Sequence, residues 1–495
     1  MTAPKGAVAA GHAVTADAAA EILGDGGNVF DAAIAGLWAA CVAEPVLASP
    51  GGGGFLMAHR SGGPGELFDF FVAAPKLKRP GTEFRAATVD FGTATQVFHI
   101  GAGAAAVPGF VPGLFEIHAA LGSLPMPRLL EPAIRAARRG VALTPFQAHV
   151  ARLVAPILFA EPASEDHFAP GGALPAAGTV LVNTDLAATF EALGREGARL
   201  FASGEIAQAM ARHAADGRGH LTLGDLAAYE VVRRPPLRIP CGRWTLALNP
   251  PPAAGGALVG LALRLAARET GNSLARALAC AQAQVDRLRG SASDLPAGDI
   301  VDKHLAGLVR DATVRPTALR GTTHISVVDT QGNAAAATVS NGEGNGHLVA
   351  GFLMNNVLGE DDVNPGGFGT WTPGERPASM MAPMVMTGDV EAIALGSGGS
   401  SRIRSAMTLV AARLAAGTSL ADAVTGPRLH VEGGHLDFED DFAPDERRGL
   451  VEAFPDHRAW PEPSLYFGGV HVASVRRGAV DACADPRRGG VVRFA

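Results

Sequence analysis

Thr322 stands directly after the small Gly321 and opens a strand-like run. Within an intact chain its hydroxyl is a weak nucleophile. A cut immediately before it would free an α-amine with a pKa of about 8, placing a base on the same residue. By residue type alone, the Thr322-Thr323 pair reads first as ordinary strand propensity. Acyl transfer also needs donors for an oxyanion, and Gly396-Ser397-Gly398-Gly399-Ser400-Ser401 offers them. This stretch reads as a glycine loop between a short apolar strand, Ala392 to Leu395, and an amphipathic helix over Arg402 to Leu414. Backbone N–H groups gathered at a helix N-terminus favour negative charge. Such donors are worth about 3 kcal/mol each in acyl transfer.

Other chemistries lack their residues. There is no G-x-S-x-G elbow and no H-E-x-x-H or clustered His/Asp metal pattern, so no metal or cofactor is expected. Gly101 to Ala106 fits G-x-G-x-x-A after a strand-like Gln96 to Ile100, but Pro108 and Pro112 interrupt the helix a dinucleotide site requires. Ser49-Pro50-Gly51-Gly52-Gly53-Gly54 lacks a Gly-Lys-Ser/Thr ending, which leaves close backbone approach and a functional role both open.

These groups need a large scaffold, and the chain provides one. It has 495 residues, 47% of them hydrophobic and 18% charged, enough for an extensive core. Its 63 glycines and 34 prolines call for frequent tight turns. A formal charge of -7 without long charge runs argues against a nucleic-acid partner. The longest apolar stretch, Ala32 to Ala43, is too short to span a bilayer and reads as a buried helix. Cys41, Cys241, Cys280 and Cys483 form no CxxC pair and read as free thiols. The N-terminus makes a poor signal peptide, so a cytoplasmic protein is expected.

The pattern predicts a helix capped by Thr15 and running through Leu23, ended by Gly24-Asp25-Gly26-Gly27, and a second opened by an Asn28/Asp31 capping box. Further helices are expected over Ala133 to Arg139, Asp185 to Leu193 and Gly204 to Ala214, with strand pieces at Leu246 to Leu248 and Val480 to Ala482. Arg289 to Asp299 reads as a soft joint and Asn364 to Pro377 as a surface loop. After position 320 a hairpin emerges: His324 to Asp329 alternates, Thr330-Gln331-Gly332-Asn333 turns, and Ala334 to Ser340 returns. Its first strand starts at Thr322. Interleaved helices and strands favour a layered α/β architecture.

The ensemble of motifs resembles the γ-glutamyltransferases. Thr322-Thr323-His324-Ile325-Ser326-Val327-Val328-Asp329, Gly332-Asn333, Leu353-Met354-Asn355-Asn356 and Gly396 to Ile403 look like that family's small-subunit signature. Gly26-Gly27-Asn28 to Asp31-Ala32-Ala33, Glu44-Pro45 with Gly51 to Phe55, Val107-Pro108-Gly109, Glu131-Pro132-Ala133, Leu221 to Tyr229, Pro250-Pro251 with Gly255-Gly256, and Asp485-Pro486-Arg487 follow in family order. The resemblance implies an α+β, layered αββα sandwich, the N-terminal-nucleophile hydrolase fold, with two mixed or antiparallel sheets between helical layers. It also implies a precursor that cleaves itself between Gly321 and Thr322. Residues 1–321 would form a large subunit and 322–495 a small catalytic one, associated as one intertwined domain.

By the same resemblance, Thr322 attacks a small-molecule amide and water or an acceptor amine resolves the acyl-enzyme. Gly399 and Ser400 match the oxyanion-hole glycine pair, with serine replacing the second glycine and narrowing the pocket. Ser340 and Asn341 match, across a one-residue gap, the Thr and Asn that steady the nucleophile and contact substrate; Thr338 precedes them. The departures lie in the acyl pocket. Phe71 stands where γ-glutamyl-binding members have the arginine of Asp-Phe-Arg, losing a charge-assisted carboxylate contact. Val357 replaces a glutamine, Glu360 with Asp361 is the nearest match to the amine-binding aspartate, and Ser379-Met380 replaces a Ser-Ser pair. A pocket more apolar than a glutamyl site is expected, as in relatives of the cephalosporin-acylase or oxamate-amidohydrolase kind. A glutathione-processing transpeptidase and an unprocessed, non-catalytic homologue remain alternatives.

Overall fold

The computed structural model describes residues 4–90, 95–269, 273–290, 300–311, 321–360, 364 and 367–495. Two sheets stack face to face. The first has seven strands in the order Val491–Phe494, Gly6–Ala10, Thr322–Asp329, Ala334–Ser340, Gly53–His59, Glu66–Phe70, Val232–Arg234. The second has six: Ala479–Ala484, Gly469–Arg476, Glu391–Gly398, Met384–Gly388, Trp244–Leu248, Leu237–Cys241. Every pairing within both sheets is antiparallel, so neither is mixed and the interleaving that suggested α/β produces an α+β sandwich.

Strand alternation divides the core. Phe55, Met57, Leu67 and Ala336 of the first sheet, and Phe71 just past the end of Glu66–Phe70, face the second, with Leu246, Val385, Ile393, Leu395 and Val472 in the same apolar cluster. The alternate residues Leu56, Phe68, Phe70, Ile325, Ala335 and Val339 pack beneath an outer layer that includes Ala13–Gly24 and Val29–Ala43. Helices Gly255–Ala266, Leu274–Gly290 and Arg402–Ala415 cover the second sheet.

Val29–Ala43 is buried nearly all round, as its apolar run from Ala32 to Ala43 requires. The Asn28/Asp31 capping box is present. The preceding helix runs Ala13–Gly24 and is capped by the His12 side chain, not by Thr15, whose hydroxyl donates to Glu44 instead. The other expected helices are present with longer ends: Met126–Arg139, Thr184–Glu196 and Glu205–Asp216. Positions 291–299 of the expected joint lie outside the described residues. Asn364, at the head of the expected surface loop, is buried, its Nδ2 donating 2.7 Å to the Glu360 carbonyl. Among the described residues no helix is long and apolar enough to cross a membrane.

Candidate active site

The hairpin runs Thr322–Asp329 and Ala334–Ser340, and its register sets Thr322 opposite Ser340 and Ser340 opposite Gly53. All three lie in one row across the centre of the seven-stranded sheet. Thr322 and Ser340 are both buried. The Ser340 hydroxyl is fully used: it accepts from Thr322 Oγ1 at 3.4 Å and from the Gly342 N–H at 3.1 Å, and donates 2.7 Å to the carbonyl of Gly321. The Gly321 N–H donates 3.0 Å to Glu343 Oε1. The peptide group between 321 and 322 is therefore polarised at its oxygen by Ser340, while Glu343 fixes the residue on its acyl side.

The oxyanion segment differs from the expected loop. Gly396, Ser397 and Gly398 belong to the strand Glu391–Gly398, and only 399–401 turn before the helix Arg402–Ala415. Glycine is required at these strand positions: a Cβ on Gly396 would lie 2.2 Å from the His324 imidazole, and one on Gly398 would lie 2.2 Å from the Thr322 carbonyl oxygen. The turn thus begins against the backbone of the candidate nucleophile. Ser400 has φ +56°, a conformation glycine adopts freely and serine does not, and its buried Oγ has no hydrogen-bond partner among the described residues. Ser400→Gly keeps the backbone N–H and should raise stability by about 0.5–1 kcal/mol after allowing for glycine's unfolded-state entropy. Chemical denaturation checks this; a loss of stability would mean the serine side chain is needed there.

The Thr338 hydroxyl is engaged by the neighbouring strand. It lies 2.8 Å from His324 Nδ1, and Ser326 Oγ sits 2.8 Å from Nε2. Burial holds His324 well below the usual histidine range, with His471 nearby acting in the same direction, so it is a neutral bridge within the inter-sheet core. On the opposite face of the same strand, Thr323 Oγ1 and Thr15 Oγ1 donate 2.8 and 2.9 Å to the Glu44 carboxyl. Burial pushes Glu44 up to about 7, outweighing those two donors. A raised carboxyl pKa favours the protonated folded state, so Glu44's contribution is full below about pH 4.5 and is lost as pH rises toward 7. The melting-temperature difference between wild type and Glu44→Gln should shift against wild type across that window and level off above it; a flat difference would contradict a neutral Glu44.

The remaining expected residues divide. Asn341 is fully buried and, among the described residues, neither amide atom has a hydrogen-bond partner, which leaves a donor and an acceptor available to a ligand. Glu360 reaches the same turn: a Cβ on Gly342 would lie 2.0 Å from its Oε1. Phe71 is packed in the inter-sheet core, stacked on Phe55 with centroids 5.6 Å apart. Arg376 instead approaches that segment from below, donating to the Phe71 carbonyl and lying 3.2 Å from Asp69. The Ser379 hydroxyl accepts from the Met381 N–H at 3.2 Å, and Met380 is buried in the core. Asp361 lies outside the described residues. Gly51 to Gly54 serve close packing: added Cβ atoms would fall 2.4–2.6 Å from the carbonyl oxygens of Leu353, Ser340, Phe70 and Thr338.

Two residues here carried no motif signal. Glu343 and Arg488 line a pocket at Gly321 whose other walls are Val46, Leu47, Phe146, Val150, Leu153, Val154 and Leu465. Burial and the neighbouring Arg402 lower Arg488 to about 10, while Asp485 opposes the shift. A larger cleft, lined by Arg60, Glu66, Arg233 and Arg234, opens at the far end of the same strands and is remote from Thr322.

The profile of the Gamma-glutamyltranspeptidase family matches residues 15–284 and 275–495. The chain belongs to the gamma-glutamyltranspeptidase family. It is 29% identical over 486 residues to the Acylase ACY 1 proenzyme of Pseudomonas sp. (strain V22), covering 91% of this chain and 87% of that one. It is 30% identical over 534 residues to the Glutathione hydrolase proenzyme of Pseudomonas aeruginosa, covering 98% and 94%. The crystal structure of cephalosporin acylase from Bacillus halodurans superposes with a TM-score of 0.82 over 100% of this chain and 96% of that one, at 22% identity. The sandwich is thus the N-terminal-nucleophile hydrolase fold of the gamma-glutamyltranspeptidase and acylase group.

Proposed function

We propose that this protein is made as a precursor that cuts itself between Gly321 and Thr322 and then hydrolyses or transfers the acyl group of a small-molecule amide. The observation that carries this is the Ser340 hydroxyl, which touches both Thr322 Oγ1 and the Gly321 carbonyl oxygen. In the first step Thr322 Oγ1 adds to the Gly321 carbonyl carbon and loses its proton, the Gly321–Thr322 C–N bond breaks, and the nitrogen becomes the α-amine of Thr322. Water then cleaves the resulting ester, leaving the Gly321 carboxylate and a free hydroxyl. Residues 1–321 and 322–495 stay associated.

In turnover the α-amine takes the Thr322 proton and passes it to the leaving amine, while the backbone N–H groups of Gly399 and Ser400 receive the oxyanion. An incoming acyl group stands where Gly321 stands in the precursor. Apart from Glu343 and Arg488, the walls around Gly321 are apolar and favour an acyl group without an amino-acid head; Phe71, Val357 and Met380, buried in the core, supply no polar group in place of the arginine, glutamine and serine of γ-glutamyl sites. A cytoplasmic location belongs to the same proposal, in keeping with four unpaired cysteines.

The test compares a γ-glutamyl anilide with an unsubstituted acyl anilide of equal chain length. Faster turnover of the unsubstituted acyl group supports the acylase assignment. Preference for the γ-glutamyl compound would instead identify a glutathione-type enzyme, and turnover of neither by cut protein would remove the catalytic assignment for such amides.

A further inference from the structure

Away from Thr322, a turn after Asn341 carries a histidine whose surroundings the acyl chemistry does not use. His347 is buried, with 3% of its surface exposed. Its Nε2 makes no hydrogen bond among the described residues, yet points between two carboxylates, 3.3 Å from Glu83 Oε2 and 3.7 Å from Glu161 Oε1. The three donor atoms lie within 4.8 Å of one another. Zinc bonds of about 2.0–2.2 Å meeting at tetrahedral angles separate neighbouring donors by about 3.3–3.6 Å, close to the two spacings seen here.

The surroundings hold these donors in place. His347 Nδ1 is hydrogen-bonded to His213 Nε2. A neutral His347 that gives its Nδ1 proton to His213 has its Nε2 lone pair directed at the carboxylates, the arrangement a metal-bound histidine needs from its outer partner. The His347 N–H donates 2.9 Å to Asn345 Oδ1, and Asn345 is tied to Gly101 through two further hydrogen bonds of 2.8 and 3.2 Å. Glu83 Oε2 also accepts from the Ala102 N–H at 3.3 Å. One competitor is present: Arg85 Nη2 lies 2.9 Å from Glu83 Oε1 and 3.1 Å from Glu161 Oε1. It is half-exposed and can swing away.

We infer that Glu83, Glu161 and His347 form a binding site for a zinc-class divalent cation, completed by water and oriented by His213. One imidazole with two carboxylates suits Zn²⁺ better than Mg²⁺ or Ca²⁺, which favour all-oxygen shells. Glu83, Glu161 and His213 precede position 321 and His347 follows it, so the ion would pin the turn after Asn341 to the N-terminal part of the chain.

The test uses the full chain as purified, stripped with EDTA and titrated calorimetrically with Zn²⁺ alone. One equivalent should bind; His347→Gln and Glu161→Gln should each weaken binding roughly tenfold or more, and Arg85→Gln should tighten it. Glu161 is partly exposed, so its variant keeps the test open should the buried His347 variant fail to fold. Co²⁺ should give the visible absorption of a tetrahedral site in wild type only, and Zn²⁺ should raise Tm in wild type and not in the variants. Binding of equal strength in wild type and both ligand variants, or no bound equivalent, would overturn the assignment.

Discussion

Thr322→Ala should yield one unbroken chain of 50.5 kDa, whereas the unaltered protein separates on denaturing mass analysis into residues 1–321 and 322–495. Removing the hydroxyl takes away the atom that attacks the Gly321 carbonyl and the atom that would carry an acyl group, so both reactions should stop. Losses on removing a nucleophile are commonly about 10³-fold or larger. Stability should change little, because among the described residues Thr322 Oγ1 makes only a long 3.4 Å contact to Ser340. Thr322→Ser, which keeps the hydroxyl, should recover part of the cutting. A fragment beginning at position 322 from the alanine variant, or undiminished amide hydrolysis by it, would end the nucleophile assignment.

Ser340→Ala should slow self-cutting by about 10²–10³-fold, the usual cost of losing one donor to a developing oxyanion. In the uncut chain that donor is the Ser340 hydroxyl, 2.7 Å from the Gly321 oxygen. The alanine also leaves the Gly342 N–H without its acceptor, so a stability loss of about 1–3 kcal/mol is expected beside the kinetic one. Ser340→Thr separates the two effects, since it restores the hydroxyl on the same strand. A time course of uncut chain followed by intact mass, with Tm measured in parallel, decides the matter: cutting at wild-type rate in the alanine variant would show that Ser340 does not polarise the bond.

The hairpin that carries these groups was legible from the chain because alternation and turn chemistry agree: seven residues of Ala334–Ser340 return against Thr322–Asp329 around a Gly-Asn turn. The placing of Thr322 beside Ser340 follows from that register alone. The oxyanion segment was legible in its residues but not in its shape. Gly-Ser-Gly looks like a loop, whereas here glycine at 396 and 398 makes room for His324 and the Thr322 carbonyl. The engagement of Thr338 was hidden for a related reason, since its partner His324 sits on the neighbouring strand and only pairing reveals that the hydroxyl is occupied. Glu343 and Arg488 had no local pattern at all, and Glu44 stood in a motif that gave no sign of its role. Each gains its role from burial beside a segment distant in sequence, and a single glutamate or arginine in a string carries no mark of that.

The strand order of the first sheet has a further consequence. Gly6–Ala10 lies between Val491–Phe494 and Thr322–Asp329, so strands from before and after the proposed cut are woven through one another. The severed halves cannot part without tearing the sheet. Equally, the catalytic geometry at position 321 exists only once both ends of the chain have been threaded into place. On the proposed mechanism cutting follows assembly, so in the unaltered protein, given time for the reaction to finish, the ratio of cut to uncut chain reports folding yield without any added probe.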